Sequence, residues 1–394
     1  MNISSFSYNC LGRQLLSYQR VIPVSILGSR FLYTPAALGL EGYIQVRERV
    51  KMQFSELGDR FRAKMKDFVS PDSVNMVFTE DLKHMVHLAD ATEDDLELIE
   101  EMMLKFNSQN KDLRFGSFIF GPVVMRMYYH LNRPKEALKV FLNPDLEHFF
   151  DQIISYQVLM DLLFKNEMYD EVMQVADVVK DKQIPNSRFP RNVVVLALAA
   201  AYKKNTPESL QYMKKLWAEL QEAGHEPMRK AITFAAALAI NQNAPHIALE
   251  LLSAVPKQNY VTIRNLRVSA LADVGRPDDA LPILRSVLEM DGPQETKHTF
   301  CSEVIEKMKA AVSRCDKKEV HQEFQRVVDQ LNQLGHVTDS SLDAQLCTEI
   351  DKVILTQARP RDQRVLAAKF NSGRGRGGDY PRPLNQRAGL RDME

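Results

Sequence analysis

His84 and His87 stand one turn apart on a predicted helix, the spacing at which two imidazoles can begin a metal site. No third ligand follows at a matching interval, so the pair is expected to be ordinary surface histidines. The four cysteines, Cys10, Cys301, Cys315 and Cys347, are widely separated and form no Cys-x-x-Cys pair, which signals neither a zinc cage nor a disulfide framework. Carboxylates are dense only between Asp90 and Glu101, where seven acids fall with no base among them. The macrodipole favours acids near a helix amino end, so this run is expected to be a solvated helix face. There is no Gly-rich phosphate loop and no His-x-Glu with Cys-x-x-Cys deaminase signature. These side chains point to no catalytic centre, no metal and no cofactor.

Charge gives a second line of argument. The chain of 394 residues has a formal net charge of zero, so it carries no global field for a polyanion. The charge is nevertheless uneven. Residues 1 to 40 hold Arg13, Arg20 and Arg30 and no acid. That Ser-, Arg- and aliphatic-rich composition is that of a mitochondrial presequence, which places the protein in the mitochondrion, in the matrix. Residues 358 to 394 hold nine basic and four acidic side chains, which leaves 39 basic and 47 acidic groups between residues 41 and 357. Any contact with nucleic acid must therefore use local basic positions. No run of about 18 apolar residues exists to form a membrane span.

The elements that would position such contacts recur. From about residue 80 to 295 an apolar helical run, a short break and an amphipathic run follow one another repeatedly. The breaks Asn132-Arg-Pro134, Asn205-Thr-Pro207, Asn243-Ala-Pro245 and Gly275-Arg-Pro277 each set Asn or Gly two residues ahead of Pro. Asn and Gly tolerate the left-handed conformation that ends a helix, and Pro is pre-set for the first turn of the next. Three breaks continue alike, with Ala137-Leu138, Ala248-Leu249 and Ala280-Leu281, the small Ala permitting close helix approach. Including Asn166, the turn residues step by 34, 39, 38 and 32. The reading is all-α: a solenoid of stacked helix-turn-helix units with a continuous core and a concave surface lined by the first helices. An earlier hairpin fits near residues 80 to 89 and Leu96 to Ile99.

The copy from Ile154 to Ser187, ISYQVLMDLLFKNEMYDEVMQVADVVKDKQIPNS, resembles the pentatricopeptide repeat consensus, and FGPVVMRM (120–127) and SLDAQLC (341–347) add to the likeness. A tetratricopeptide array would place Trp in its first helix, whereas the single Trp217 falls in a second one. The resemblance covers about residues 55 to 350. It implies single-stranded mitochondrial RNA as partner, held along the concave face with one base per repeat, and other mitochondrial RNA-processing proteins beside it. The early first-helix positions that read bases in that family fall here at Glu80, Pro122, Gln157, Val195, Thr233 and Asn265. Only Gln157, Thr233 and Asn265 are able to read a base, and Pro122 and Val195 offer nothing to hydrogen-bond, so the code is degraded. Lys165, Lys203 and Lys204, at first-helix ends, and Arg264 and Arg267, flanking Asn265, are the phosphate candidates.

The expected organisation is a presequence and linker over 1–45, the repeat array over 46–298, C-terminal capping helices over 299–357, and a disordered tail over 358–394. The tail's Arg374-Gly-Arg376-Gly-Gly resembles segments that add electrostatic affinity for RNA. The function implied is maturation or stabilisation of mitochondrial transcripts, in support of the respiratory chain. A protein-binding scaffold on the same helical stack stands beside it, favoured by the broken positions and the net acidic middle.

Overall fold

The computed structural model describes residues 31–113, 118–182, 188–256, 258–289 and 299–351. The presequence through Arg30 and the arginine-glycine tail lie outside the described residues. Three helices come first: α1 (Pro35–Leu38), α2 (Leu40–Gln53) and α3 (Gly58–Val69). Hairpins follow: α4 (Thr79–Leu88) with α5 (Glu93–Leu113), α6 (Gly121–Leu131) with α7 (Pro134–Leu142), and α8 (Ile153–Lys165) with α9 (Tyr169–Asp181). Next come α10 (Arg191–Lys204) with α11 (Pro207–Glu222), α12 (Arg229–Asn241) with α13 (Pro245–Ser253), and α14 (Val261–Val274) with α15 (Pro277–Leu288). The last pair is α16 (Ser302–Ser313) with α17 (Lys318–Gln333), followed by the single turn α18 (Leu342–Leu346). Strands β1 (Phe300–Cys301) and β2 (Val337–Thr338) pair in parallel, Phe300 against Val337.

The first helices stack in order, α4 on α6 and so on to α14 on α16. Each second helix packs on its own partner and, from α7 onward, on the next first helix. This is an all-α solenoid in which no hairpin buries its apolar faces alone. The turns are those the sequence spells. Asn132, Asn205, Asn243 and Gly275 have φ of 52°, 50°, 54° and 78°, and Pro134, Pro207, Pro245 and Pro277 each open the following helix. Ala137, Ala248 and Ala280 are fully buried where the paired helices meet.

The fifth turn differs. Asn166 keeps φ at −94° and Glu167 takes the left-handed conformation at 60°. Asn166 instead exchanges amide hydrogen bonds with Asn132 of the preceding repeat, Nδ2 to Oδ1 at 3.1 Å and the reverse at 3.4 Å. Ion pairs join neighbouring repeats in the same way: Lys139 to Glu100 at 2.8 Å, Lys180 to Glu219 at 3.0 Å and Lys317 to Asp278 at 3.0 Å. Exposed pairs of this kind contribute little singly, but they sit one period apart and so fix the stacking register.

One boundary departs from expectation. Residues 31–45 are not a linker: Leu32, Tyr33, Leu38 and Tyr43 belong to the core, because α1 and α2 lie on α4, α6 and α8. Helices α16 and α17, the expected capping helices, close the end of the stack in the same geometry as the repeats. They continue the stack as a further hairpin, with α16 on α14 and α17 on α15.

The acidic run is only partly a solvated face. Asp95 is buried and accepts from Arg62 Nε at 2.9 Å and Nη2 at 3.1 Å and from the Asp90 N–H at 2.8 Å. Asp90 in turn pairs with Arg47 at 3.0 Å and Lys51 at 2.7 Å, so these acids tie α2 and α3 to the first hairpin. Of the two histidines, His84 is half-buried and only His87 leaves the surface altogether. His87 is buried, stacked on Tyr43 with its Nδ1 2.7 Å from the Lys83 carbonyl, and His84 packs on Phe54 and Phe61.

Consecutive hairpins approach closely at Gly121. A Cβ there would lie 2.2 Å from Gln152 Oε1, 2.7 Å from Ser155 Oγ and 2.9 Å from the Phe149 carbonyl. The two side chains can turn away, but the carbonyl moves only with the backbone. Gly121→Ala is therefore expected to destabilise the chain by about 1–3 kcal/mol in urea unfolding; an unchanged midpoint would show that α6 and α8 can separate freely.

Candidate nucleic-acid interface

The row of first helices was expected to present polar residues on an open surface. It does not. Helix α8 is buried without interruption from Ser155 to Phe164, α10 from Val193 to Ala201, and α12 from Ala231 to Ile240. A helix buried on every side is covered on every side. Second helices and the neighbouring first helices cover most of this surface. The two ends of the described chain add contacts on α8, α12 and α14 and at the end of α10.

The amino-terminal segment crosses α8. Asp161, fully buried, accepts from the Tyr33 N–H at 3.2 Å and the Tyr129 hydroxyl at 2.9 Å. The carboxy-terminal segment runs from α16 back to the same place. The Leu342 N–H donates to Glu303, and Asp343 accepts from the Tyr202 hydroxyl at 3.1 Å and Lys203 Nζ at 2.6 Å. The Thr348 carbonyl accepts from Lys230 Nζ at 2.9 Å. The two segments then join as a parallel bridge, Ile350 N–H to the Leu32 carbonyl at 2.8 Å and Thr34 N–H to the Ile350 carbonyl at 3.1 Å. Leu346, fully buried, anchors α18 in the main core.

The proposed base-reading side chains are held inside this arrangement. Asn265 is 0% exposed. Its Nδ2 donates to the Val261 carbonyl at 3.0 Å and the Thr299 carbonyl at 3.1 Å, with Gln345 Oε1 at 3.4 Å, and its Oδ1 accepts from the Cys301 N–H at 2.9 Å. Thr233, 2% exposed, donates to the Lys230 carbonyl at 2.8 Å within its own helix. Gln157, 5% exposed, accepts from Asn192 Nδ2 at 2.8 Å. In this conformation Asn265 presents no free edge to a base and the Thr233 hydroxyl donates to its own helix, while Gln157 is held through its Oε1.

The phosphate candidates divide. Lys203 is paired with Asp343, Lys204 with Asp170, and Arg267 donates to Gln258 Oε1 at 3.2 Å. Lys165 is half-buried, its Nζ 5.1 Å from the centre of the Phe31 ring and 5.4 Å from that of Tyr129. Burial lowers the pKa of Lys165 and that of Arg264, which is 4% exposed. Lys230, which the sequence reading passed over, is the most perturbed cation of the row. Burial pulls it down to about 8, and it donates to a neutral carbonyl. Tyr202 and Lys230 were missed because they occupy neither family position. Tyr202 lies next to Lys203 at the end of α10, whereas Lys230 lies at the start of α12.

No family model matches the chain. Curated relatives do. It is 30% identical over 273 residues to "Pentatricopeptide repeat-containing protein 2, mitochondrial" of Mus musculus, which covers 69% of this chain and 70% of that protein. The proteins of the same name from Homo sapiens and Xenopus laevis are 27% and 26% identical, over 81% and 87% of this chain and 80% and 88% of theirs. Since identity at this level runs through more than two thirds of both chains, and the helical stack with its Asn/Gly-x-Pro turns accounts for the same span, the chain belongs to the family of pentatricopeptide repeat-containing protein 2.

Proposed function

We propose that this chain is a mitochondrial protein that holds single-stranded RNA during transcript maturation or stabilisation, and that it does so by contact with the backbone rather than by reading bases. Its relatives carry "mitochondrial" in their names, and the acid-free, arginine-containing amino end suits import. The observation that carries the RNA reading is Lys230, half-buried on a first helix with its pKa lowered by that burial. Its Nζ faces the neutral Thr348 carbonyl, whereas Lys165 lies over two rings within the field of the Asp161 carboxylate. A cation held away from water against a neutral acceptor is poorly compensated, and a phosphodiester would compensate it. The buried state of Gln157, Thr233 and Asn265 argues for binding without sequence readout. It is a binding protein and not an enzyme on this reading.

One observation favours the scaffold reading: the first-helix row already accommodates a polypeptide, its own residues 342–350. Ultraviolet crosslinking of the protein in intact mitochondria separates the two. RNA recovered from many sites without a shared motif is expected. Recovery no greater than in the unirradiated control, with protein partners co-purifying instead, would remove the RNA reading.

A further inference from the structure

The carboxy-terminal segment sets acceptors against Lys203 and Asn265, which the sequence offered as RNA contacts, and against Tyr202 and Lys230. Asp343 Oδ1 takes both the Tyr202 hydroxyl and the Lys203 ammonium, the pattern of donors that holds a phosphate oxygen. Gln345 Oε1 lies 3.4 Å from Asn265 Nδ2, as the carbonyl of a base edge would. The Thr348 carbonyl takes Lys230 Nζ at 2.9 Å. Three first helices, α10, α14 and α12 in the order met along the segment, are thus contacted by residues 343–348, the short helix α18 and the turn that follows it.

We propose that residues 341–350 are a releasable strap that occupies the RNA path as a polypeptide stand-in for the strand, with Asp343 in the place of a phosphate and Gln345 in the place of a base edge. The proposal rests on the RNA-binding reading above. The strap is built to be displaced. Its helix α18 is a single turn, too short to be stable by itself, and among its residues 341–350 only Leu346 and Cys347 are buried. At Tyr202, Lys203 and Lys230 its attachments are hydrogen bonds and one ion pair whose donors an anionic strand can take over, while the Leu342 N–H to Glu303 and the Ile350 bridge to residues 32–34 are bonds that opening must break. At Lys230 the exchange favours RNA, because a phosphate pairs with the ammonium where a carbonyl does not. Local openings of such weakly packed terminal segments are the least expensive motions of a fold.

Cys347 reports the strap's position, being buried within it with its thiol pKa raised by that burial. The test uses the full chain, a fluorescent single-stranded RNA oligonucleotide of mixed sequence, and maleimide labelling read peptide by peptide, with buried Cys301 as internal reference. Saturating RNA is expected to accelerate labelling of Cys347 but not of Cys301. Leu346→Glu removes the anchor while adding negative charge, which by itself would weaken RNA binding. It is expected to label quickly without RNA and to bind RNA about tenfold more tightly, the gain expected when the competent state rises from about a tenth of the population to nearly all of it. If RNA binds the unmodified chain with Cys347 labelling unchanged and the variant gains no affinity, the strap proposal is overturned and the RNA-binding reading stands. If neither chain binds RNA, the RNA-binding reading fails and the proposal fails with it. Should the variant lose its helical circular dichroism, labelling of the unmodified chain with and without RNA decides alone.

Discussion

Asn265→Ala is expected to lower the stability of the chain by about 2–3 kcal/mol and to leave its preference among RNA sequences unchanged. The amide of Asn265 is a junction between α14 and the segment that enters α16. It satisfies the Cys301 N–H and the Thr299 carbonyl, both across a long separation in sequence. Truncation orphans a buried donor and a buried acceptor, and each unsatisfied buried group costs about 1–3 kcal/mol. Thr233→Ala removes only a bond from a hydroxyl to its own helix, so its effect is expected below about 1 kcal/mol. Urea unfolding of the two variants, beside anisotropy titrations over a small panel of oligonucleotides, makes the comparison. Unaltered stability of Asn265→Ala together with a changed sequence preference would restore Asn265 to a base-reading role.

Asp161 carries the second large effect, and its sign follows from burial. Desolvation pushes its carboxyl up to about 7, against the opposing pull of hydrogen bonds from Tyr129, Tyr33 and Leu32 and of the charge on Lys165. In the unfolded chain the same group titrates near 3.8. The folded state thus binds this proton more tightly. The stabilisation that comes with it is fully present below about pH 4 and is lost as pH rises through about 7. His87, His130 and His225 act in the opposite direction over part of that window, since burial lowers all three and their protonation opposes folding. The clean measurement is therefore a difference. Asp161→Asn cannot titrate, and the stability of this variant relative to the unmodified chain is expected to improve steadily from pH 4 to pH 8, by a few kcal/mol in all. One donor, Tyr33 N–H or Tyr129 O–H, loses its acceptor in the variant, which adds a constant offset and no slope. A difference that does not vary with pH would mean that Asp161 stays charged in the folded chain at all these values. Asp161→Ala goes further, because both donors are left bare; it is expected to release residues 32–34 from α8 and with them the bridge to Ile350.

Much of the fold was legible before any coordinates, and the reason is locality. A helix ends where Asn132, Asn205, Asn243 or Gly275 takes positive φ, and the next begins at a Pro two residues on; both preferences reside in the residue itself. The fifth turn escaped because Asn166 resembles the other asparagines, while its role is set by Asn132 in the repeat before it. The row of first helices also carried a signal that the sequence reading left unused. VVVLALAAA in α10 and AITFAAALAI in α12 have no polar stripe, and a helix that is apolar all round must be covered all round.

What covers those helices was beyond the sequence. Tyr33 meets Asp161 across 128 positions, Tyr202 meets Asp343 across 141, and the bridge between Tyr33 and Ile350 joins the two ends of the described chain. No period or spacing encodes such pairings, because each depends on the whole stack having first brought remote surfaces together. The sequence by itself determined the repeat, its turns and the family, since these are written in neighbouring residues. Only the tertiary structure decided that Gln157, Thr233 and Asn265 are buried. A polar residue on a helix face is a reader or a structural partner according to what lies across from it, and here Asn192 lies across from Gln157 and the segment 299–301 with Gln345 across from Asn265.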